Sequence, residues 1–135
     1  MAAILTDVEI QALTEEPKQL PDDYNDRLTP RSSGHGHKQV NLSISGAAGS
    51  AFEVKVRQSE QDAYDLSVIL AYLPERRTRG FRLRRYNGNS HIHTNRIEHE
   101  QVQGFHIHQA TERYQRTGLR EDDFAVSTSQ YYDLD

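Results

Sequence analysis

The sequence predicts an α+β fold, in which one N-terminal helix, an antiparallel sheet of four to five strands and two C-terminal helices follow one another, with the helices on one face of the sheet. Three observations support this order: a helix-capping signature near residue 6, apolar residues at every second position between 40 and 83, and helical spacing after residue 110. Separate runs of strands and helices are typical of α+β domains. The 135 residues suffice for a single domain, residues 1–135, with one modest core.

The N-terminal helix is predicted from its capping residues. Thr6 is a favourable N-cap, and Glu9 stands at the third helical position, which is the arrangement of a capping box. The helix ends at the proline that opens the next segment. Residues 17–38 are rich in proline, glycine, aspartate and serine, so they are expected to form a mobile loop or linker. His35 and His37 lie in this segment and are expected to be solvated.

The middle of the chain alternates between apolar and polar residues, as strands with one buried face do. Two such strands, residues 38–45 and 52–57, flank a glycine-containing turn and predict a β-hairpin. The next strand, residues 64–73, is nearly apolar on both sides, so it is expected at the centre of the sheet. Residues 81–84 predict a fourth strand, in which Arg82 and Arg84 share a face.

The last third of the chain predicts a short strand and then two helices. Residues 105–108 alternate and present Phe105 and Ile107 to the core. A helix between Ala110 and Gly118 follows from the spacing of Ala110 and Tyr114 and from a C-terminal glycine. A second helix is expected over residues 120–134, because three acidic residues open the segment and apolar residues recur at helical spacing. The residues concerned are Glu121, Asp122, Asp123, Phe124, Thr128 and Tyr131.

The composition excludes several classes of protein. The absence of cysteine rules out a disulfide-stapled module and a thiolate metal site, and it fits a reducing cytoplasm. The first residues carry neither a basic segment nor an apolar run of signal-peptide length. No stretch approaches the roughly 20 apolar residues of a membrane span. A cytoplasmic protein without membrane association is therefore expected.

Positive charge is concentrated in one part of the chain. The net charge is −4, yet residues 76–96 hold seven arginines and no aspartate or glutamate. The seven are Arg76, Arg77, Arg79, Arg82, Arg84, Arg85 and Arg96. Such a cluster in an acidic protein indicates an anionic partner. The alternative is an edge strand that carries charge to block aggregation.

Histidines are concentrated in the segment that follows. Five of the seven lie between residues 91 and 108, namely His91, His93, His99, His106 and His108. Alternate residues of a strand share a face, roughly 6.5–7 Å apart, so each His-x-His element points both imidazoles the same way. Two such pairs on neighbouring segments would bring four imidazoles together.

Three interpretations of this cluster remain open. The first is a metal site, in which His106 and His108 bind a divalent ion such as Zn²⁺, and a third ligand comes from His91, His93, Glu98 or Glu112. The second is acid–base catalysis without metal, which suits RNA because its own 2′-hydroxyl is the nucleophile. The third is a polar outward sheet face without a function.

The run RYNGNSHIHTNRIE…FHIHQATERYQRTG, residues 85–118, resembles uncharacterised short bacterial histidine-rich proteins. The order of Arg85, Tyr86, Asn87 and Gly88, followed by two His-x-His elements, is similar in layout to TumE-type toxins of toxin–antitoxin systems. The resemblance covers about a quarter of the chain. It implies a cytoplasmic bacterial or phage protein that acts on RNA and is paired with a cognate antitoxin protein.

The leading hypothesis is a toxin-like, metal-independent ribonuclease or other nucleic-acid-acting enzyme. His106 and His108 would be the acid and the base, with His91 or His93 completing the pair. Arg82, Arg84 and Arg85 would bind phosphate. The alternatives are a non-enzymatic metal- or nucleic-acid-binding module that uses the same residues, and a partner-binding protein of a defence or mobile-element system. The expected partners are RNA and an antitoxin, with a homodimer as an open option.

Overall fold

An antiparallel sheet of eight strands dominates the computed structural model, which describes residues 4–32, 36–74, 80–131 and 133–134. The strands of the described residues, in chain order, are β1 (Lys18–Gln19), β2 (Arg31–Ser32), β3 (His37–Gly46), β4 (Ala51–Ser59), β5 (Leu66–Tyr72), β6 (Phe81–Asn87), β7 (His93–Asn95), β8 (Glu100–Val102), β9 (His106–Gln109) and β10 (Phe124–Ser127). The helices are α1 (Asp7–Glu15), α2 (Tyr24–Arg27) and α3 (Glu112–Arg116).

The strand order of the main sheet is β1-β3-β4-β5-β6-β9-β10, with β2 also paired to β3. Strands β7 and β8 form a separate hairpin. The predicted α+β class is confirmed at this level, and β5 lies at the centre of the sheet as its two apolar faces predict. The sheet is larger than the four to five strands expected, because β1, β2 and β10 extend it at both edges.

Helix α1 packs on one face of the sheet. Its capping box forms as predicted: Glu9 N donates to Thr6 Oγ1, and Thr6 N donates to Glu9 Oε1, both at 3.1 Å. Ile10 is buried against the sheet. The buried core cluster consists of Ile10, Leu42, Ile44, Phe52, Leu83 and Ala110. The apolar core therefore lies on the α1 side of the sheet.

A β-bulge in β6 redistributes its arginines between the two faces. Leu70 pairs with Arg84 and Ala71 pairs with Arg82, so Leu83 is the extra residue. Directly paired residues share a face, and Leu70 and Ala71 lie on opposite faces. Arg82 and Arg84 therefore do not share a face, contrary to the prediction. Past the bulge, Arg85 pairs with Ile69 and returns to the face of Arg82.

The second predicted C-terminal helix is wrong. Residues Phe124–Ser127 form β10, which pairs antiparallel with β9 and ends the sheet. Four residues are too few for spacing to separate a helix from a strand, and the open edge of β9 offers unpaired backbone groups that a strand can satisfy. The other predicted helix is present as α3, where Thr111 Oγ1 caps the helix by accepting from Tyr114 N.

The segment 17–38 contains more structure than a bare loop. Its described part forms β1, α2 and β2, and Leu28 packs against the core cluster. Its mobility stays a prediction. His35 and three of the clustered arginines, at positions 76, 77 and 79, lie outside the described residues. No helix among the described residues combines the length and the apolar character needed to cross a membrane.

Candidate functional site

A row of polar side chains crosses the face of the sheet opposite α1. Arg57 pairs with Ser67, Ser67 with Asn87, and Asn87 with His106, so the four lie side by side on β4, β5, β6 and β9. In the next row, Arg85 pairs with His108. The antiparallel register thus places two arginines and two histidines, from distant parts of the chain, on one surface.

These rows form the floor of a cavity of about 240 Å³. The polar residues that line it are His37, Arg57, Asp65, Ser67, Arg85, Asn87, Ser90, His91 and His106. Gly88 also lines it, and a Cβ there would lie 1.7 Å from the carbonyl oxygen of Tyr64, so only glycine lets the end of β6 approach the loop before β5 this closely. A larger, more open groove of about 920 Å³ near β1 contains none of the predicted site residues. We place the candidate site at the smaller cavity.

Three imidazoles pack against one another beside the cavity, and His106 is the member of this group that lines it. The ring centroids of His93 and His108 are 4.5 Å apart, those of His106 and His108 are 5.0 Å apart, and those of His93 and His106 are 6.0 Å apart. His93 reaches the pair from the β7–β8 hairpin, which lies over β10. His91 precedes that hairpin and lines the cavity with His106.

Backbone carbonyls set the tautomer of each ring. His106 Nδ1 lies 2.8 Å from Gly104 O, His108 Nδ1 lies 2.8 Å from Asp122 O, and His93 Nε2 lies 2.6 Å from Asp123 O. A carbonyl oxygen only accepts, so each of these nitrogens must donate its hydrogen. The lone pair is then on Nε2 of His106 and His108. In particular, His106 presents an unprotonated nitrogen as a proton acceptor.

Burial favours the neutral form of His106 and of His108 by lowering the pKa of both. Desolvation is the main cause that lowers the pKa of His106, and the nearby His93, Arg85 and His91 lower it further against the raising effect of the Gly104 bond. Burial, together with Arg85, His93 and His106, lowers the pKa of His108 to about 3. A neutral imidazole at physiological pH can accept a proton or bind a cation.

A buried ion pair supports the same surface from below. Arg85 Nε lies 3.3 Å from Asp122 Oδ2, and the Asp122 side chain is 1% exposed. Burial raises the pKa of Asp122 and lowers that of Arg85, and each partner's charge opposes the shift of the other. Among the described residues, Arg85 Nε and both carboxylate oxygens of Asp122 are buried without a hydrogen-bond partner. Arg85 also lines the cavity, so its positive charge lies where an anion would bind.

Only some of the predicted site residues meet at the cavity. His91, His106 and Arg85 line the cavity, whereas His93 and His108 lie beside it. Arg82 lies on the same face, and its backbone N donates to Glu121 Oε2 at 3.1 Å. Arg84 lies on the opposite face, which separates it from the histidines.

Several cavity residues were not singled out in the sequence. Arg57 and Ser67 lie on β4 and β5, and Asp65 directly precedes β5, where the sequence indicates only structural strands. Asp122, which supports Arg85 from outside the cavity, is predicted at a helix N-terminus instead. His37 was expected to be solvated, yet it lines the cavity. A signal for Arg57 was present, since the hairpin register and the central position of β5 place it in one row with Ser67.

Two polar residues near the cluster have structural partners. Asn95 is a buried tether: its Nδ2 donates to Ala125 O and its Oδ1 accepts from Ala125 N, both at 2.8 Å. Glu112, named in the sequence as a candidate third metal ligand, pairs with Arg116 at 2.7 Å. Within the described ranges, no group of three His, Asp or Glu side chains is arranged to hold a metal ion.

Comparison with known proteins finds no relative of this chain. No family model, no curated protein and no solved structure matches the chain.

Proposed function

We propose that the protein cleaves RNA by acid–base catalysis in the cavity between β4, β5, β6 and β9. The observation that supports this proposal is the convergence of His91, His106, Arg57 and Arg85 on one small polar cavity. In cleavage of a phosphodiester, two imidazoles can transfer the protons, and two guanidinium groups can stabilise the negative charge of the transition state.

In the proposed reaction, one histidine accepts a proton and the other donates one. His106 Nε2 accepts the proton of the 2′-hydroxyl, and the resulting oxygen attacks the adjacent phosphorus. The bond from phosphorus to the 5′-oxygen breaks, and His91, whose side chain is exposed to solvent, acts as the general acid and donates a proton to that oxygen. The products are a 2′,3′-cyclic phosphate and a 5′-hydroxyl. Atoms and charge balance without a further reactant.

The arginines would hold the phosphate during this transfer. Arg85 on β6 and the exposed Arg57 on β4 line the cavity from the two sides of β5. Guanidinium groups bind phosphate oxygens through paired hydrogen bonds, and these strengthen as negative charge grows in the transition state. His108 and His93 would act through His106, whose ring they pack against, and would not touch the substrate.

The test is cleavage of a labelled RNA in excess EDTA by wild type, His106→Asn and His99→Asn. We expect wild type and His99→Asn to yield the cyclic phosphate, and His106→Asn to be slower by about 10²-fold or more. His99 is a matched control because it is an exposed turn residue of the same segment with a φ of 58°, which asparagine tolerates. An RNA with 2′-deoxy sugars should not be cleaved. Absence of cleavage by wild type, or full activity of His106→Asn, would contradict the proposal.

We extend the proposal to a toxin-like role in the cytoplasm, neutralised by an antitoxin protein. This part is supported by the resemblance of residues 85–118 alone. The same variants test it: expression of wild type and His99→Asn should arrest bacterial growth, whereas expression of His106→Asn should not. Growth arrest by His106→Asn would show that toxicity does not depend on the proposed catalytic histidine.

A further inference from the structure

Asp65 is the one carboxylate among the described residues that line the cavity. A carboxylate opposes phosphate binding, so the proposed reaction alone gives no reason for its presence there. Its position is held on both sides: Ser59 N donates to Asp65 O at 2.9 Å, and Asp65 N donates to Asp62 O at 3.0 Å. Ser90 Oγ donates to Asp65 Oδ1 at 3.0 Å. A carboxylate has about four acceptor positions, so most of this one's capacity remains.

Asn87 supplies the complementary donor on the adjacent strand. Ser67 Oγ donates to Asn87 Oδ1 at 2.7 Å, which fixes the side-chain amide with its NH₂ group directed away from that bond. Among the described residues, no acceptor takes a hydrogen from this NH₂ group. Asp65 and Asn87 line the same cavity, so a fixed acceptor pair and a fixed donor face one bound molecule.

Among the four RNA bases, this combination suits guanine. The Watson–Crick edge of guanine carries two adjacent parallel donors, N1–H and N2–H, which match the two oxygens of a carboxylate, and an O6 acceptor for an amide NH₂. Adenine, cytosine and uracil each place an acceptor where the second carboxylate oxygen would lie. Proteins read unstacked RNA bases on this edge. The cavity of about 240 Å³ is smaller than the roughly 300–1,000 Å³ that larger ligands occupy, which suits a ligand of about one nucleotide.

We propose that Asp65 and Asn87 form a guanine-recognition site, so that the cavity binds a guanosine nucleotide with its phosphate at Arg57 and Arg85. The inference rests on the proposed function for the placement of that phosphate. Asp65 accepts from N1–H and N2–H, and Asn87 donates to O6. The nucleotide whose 2′-hydroxyl faces His106 is then a guanosine, and the substrate class is single-stranded RNA that contains guanine.

The test is calorimetric titration of the full chain with guanosine, inosine and adenosine 3′-monophosphates. We expect wild type to bind the guanosine compound at least about tenfold more tightly than the adenosine compound, which is the effect of one charged hydrogen bond or more. Inosine lacks the N2 amino group and should fall between them. Equal affinities for guanosine and adenosine compounds would overturn the inference.

Asp65→Asn should bring the affinity ratio of guanosine to adenosine to one or below, because an asparagine amide replaces one acceptor with a donor. Its oxygen can still accept from Ser90, so the local fold is retained. Asp62→Asn is the matched control: Asp62 lies in the same loop, its carboxylate accepts from Tyr64 N at 3.0 Å, and it does not line the cavity. Ser90→Ala removes the hydrogen bond from Ser90 to Asp65 but leaves the carboxylate in place. This variant should therefore keep the preference for guanosine over adenosine. Retention of the preference by Asp65→Asn would overturn the inference.

A cleavage experiment separates this inference from the proposed reaction. Four RNA oligonucleotides carry one unmodified ribose, at guanosine, adenosine, cytidine or uridine, in an otherwise 2′-O-methyl strand. Faster cleavage after guanosine supports both proposals. Equal cleavage after all four bases supports the reaction and overturns the guanine site. Selective binding of guanosine 3′-monophosphate without any cleavage supports the guanine site and overturns the reaction.

Discussion

His108 shows how a buried imidazole connects folding to pH. The folded protein holds its pKa at about 3, whereas the unfolded chain has the ordinary value of 6.5. Between these values the unfolded state takes up a proton that the folded state does not. The stabilising effect of a neutral His108 is therefore complete above pH 6.5, and it is lost progressively as the pH falls toward 3.

We therefore predict that His108→Gln weakens the loss of stability in acid. In the wild type, His108 should contribute a slope of up to about 1.4 kcal/mol per pH unit to the free energy of unfolding between pH 6 and pH 4. Glutamine can still donate to Asp122 O but does not titrate. Urea denaturation at several pH values measures the slope, with His99→Gln as the exposed control. An unchanged slope in His108→Gln would show that burial does not depress this pKa.

The histidine cluster illustrates what single residues reveal in a sequence. The approach of His106 to His108 could be predicted, because both stand at alternate positions of β9. His91 precedes β7 and lines the cavity, whereas His93 lies on β7 beside His108, so the same rule does not place this second pair. The ion pair between Asp122 and Arg85 could not be predicted, because the two residues are far apart in the sequence and their pairing depends on the path of the chain between them. The bulge at Leu83 likewise moved Arg84 to the other face without a local signal.

The β7–β8 hairpin is the element that brings His93 to the cluster, and one side chain fixes its place. Asn95 exchanges two hydrogen bonds of 2.8 Å with the backbone of Ala125, so it acts as a substitute for a neighbouring strand at the outer edge of β10. Asn95 is 2% exposed and Ala125 is 1% exposed. Water therefore cannot replace these bonds if the side chain is removed.

We predict that Asn95→Ala lowers the free energy of unfolding by about 2–4 kcal/mol, because it leaves a buried N–H and a buried carbonyl unpaired. The amide of Ala125 should also lose protection against hydrogen exchange. Asn89→Ala, an exposed position in the same part of the chain, is the control and should change both quantities little. Full protection of the Ala125 amide in Asn95→Ala would show that the hairpin is held by other contacts.

Elements could be predicted where local chemistry decides them. The capping box of α1, the β3–β4 hairpin and the central position of β5 follow from residues close together in the sequence. The strand β10 follows from the open edge of β9, which is a property of the assembled sheet. Its three acidic neighbours have tertiary roles: Glu121 accepts from Arg82 N, Asp122 pairs with Arg85, and Asp123 O accepts from His93. The predicted helix N-terminus took account only of neighbouring residues in the sequence, whereas these three residues have partners on distant strands.

The two faces of the sheet have different roles: one carries the apolar core, and the other carries the candidate site. The face that packs against α1 carries the apolar core cluster, whereas the opposite face collects Arg57, Arg85 and His106 in register across four strands. Arginines brought together by folding repel one another, and a bound anion relieves that repulsion. The unfolded chain does not hold them together, so an anion that binds the cavity should stabilise the folded state by mass action.

We therefore predict that inorganic phosphate raises the melting temperature of the wild type by a few degrees relative to sodium chloride at the same ionic strength. At ten times its dissociation constant, phosphate should add about 1.4 kcal/mol to the free energy of unfolding. Arg57→Gln should lose most of this gain. Arg116→Gln is the control, since Arg116 pairs with Glu112 on α3 away from the cavity and should keep it. Phosphate also stabilises proteins in general by exclusion from their surface, and that effect is common to all three proteins. The same gain in Arg57→Gln as in the wild type would therefore place the phosphate effect outside the cavity.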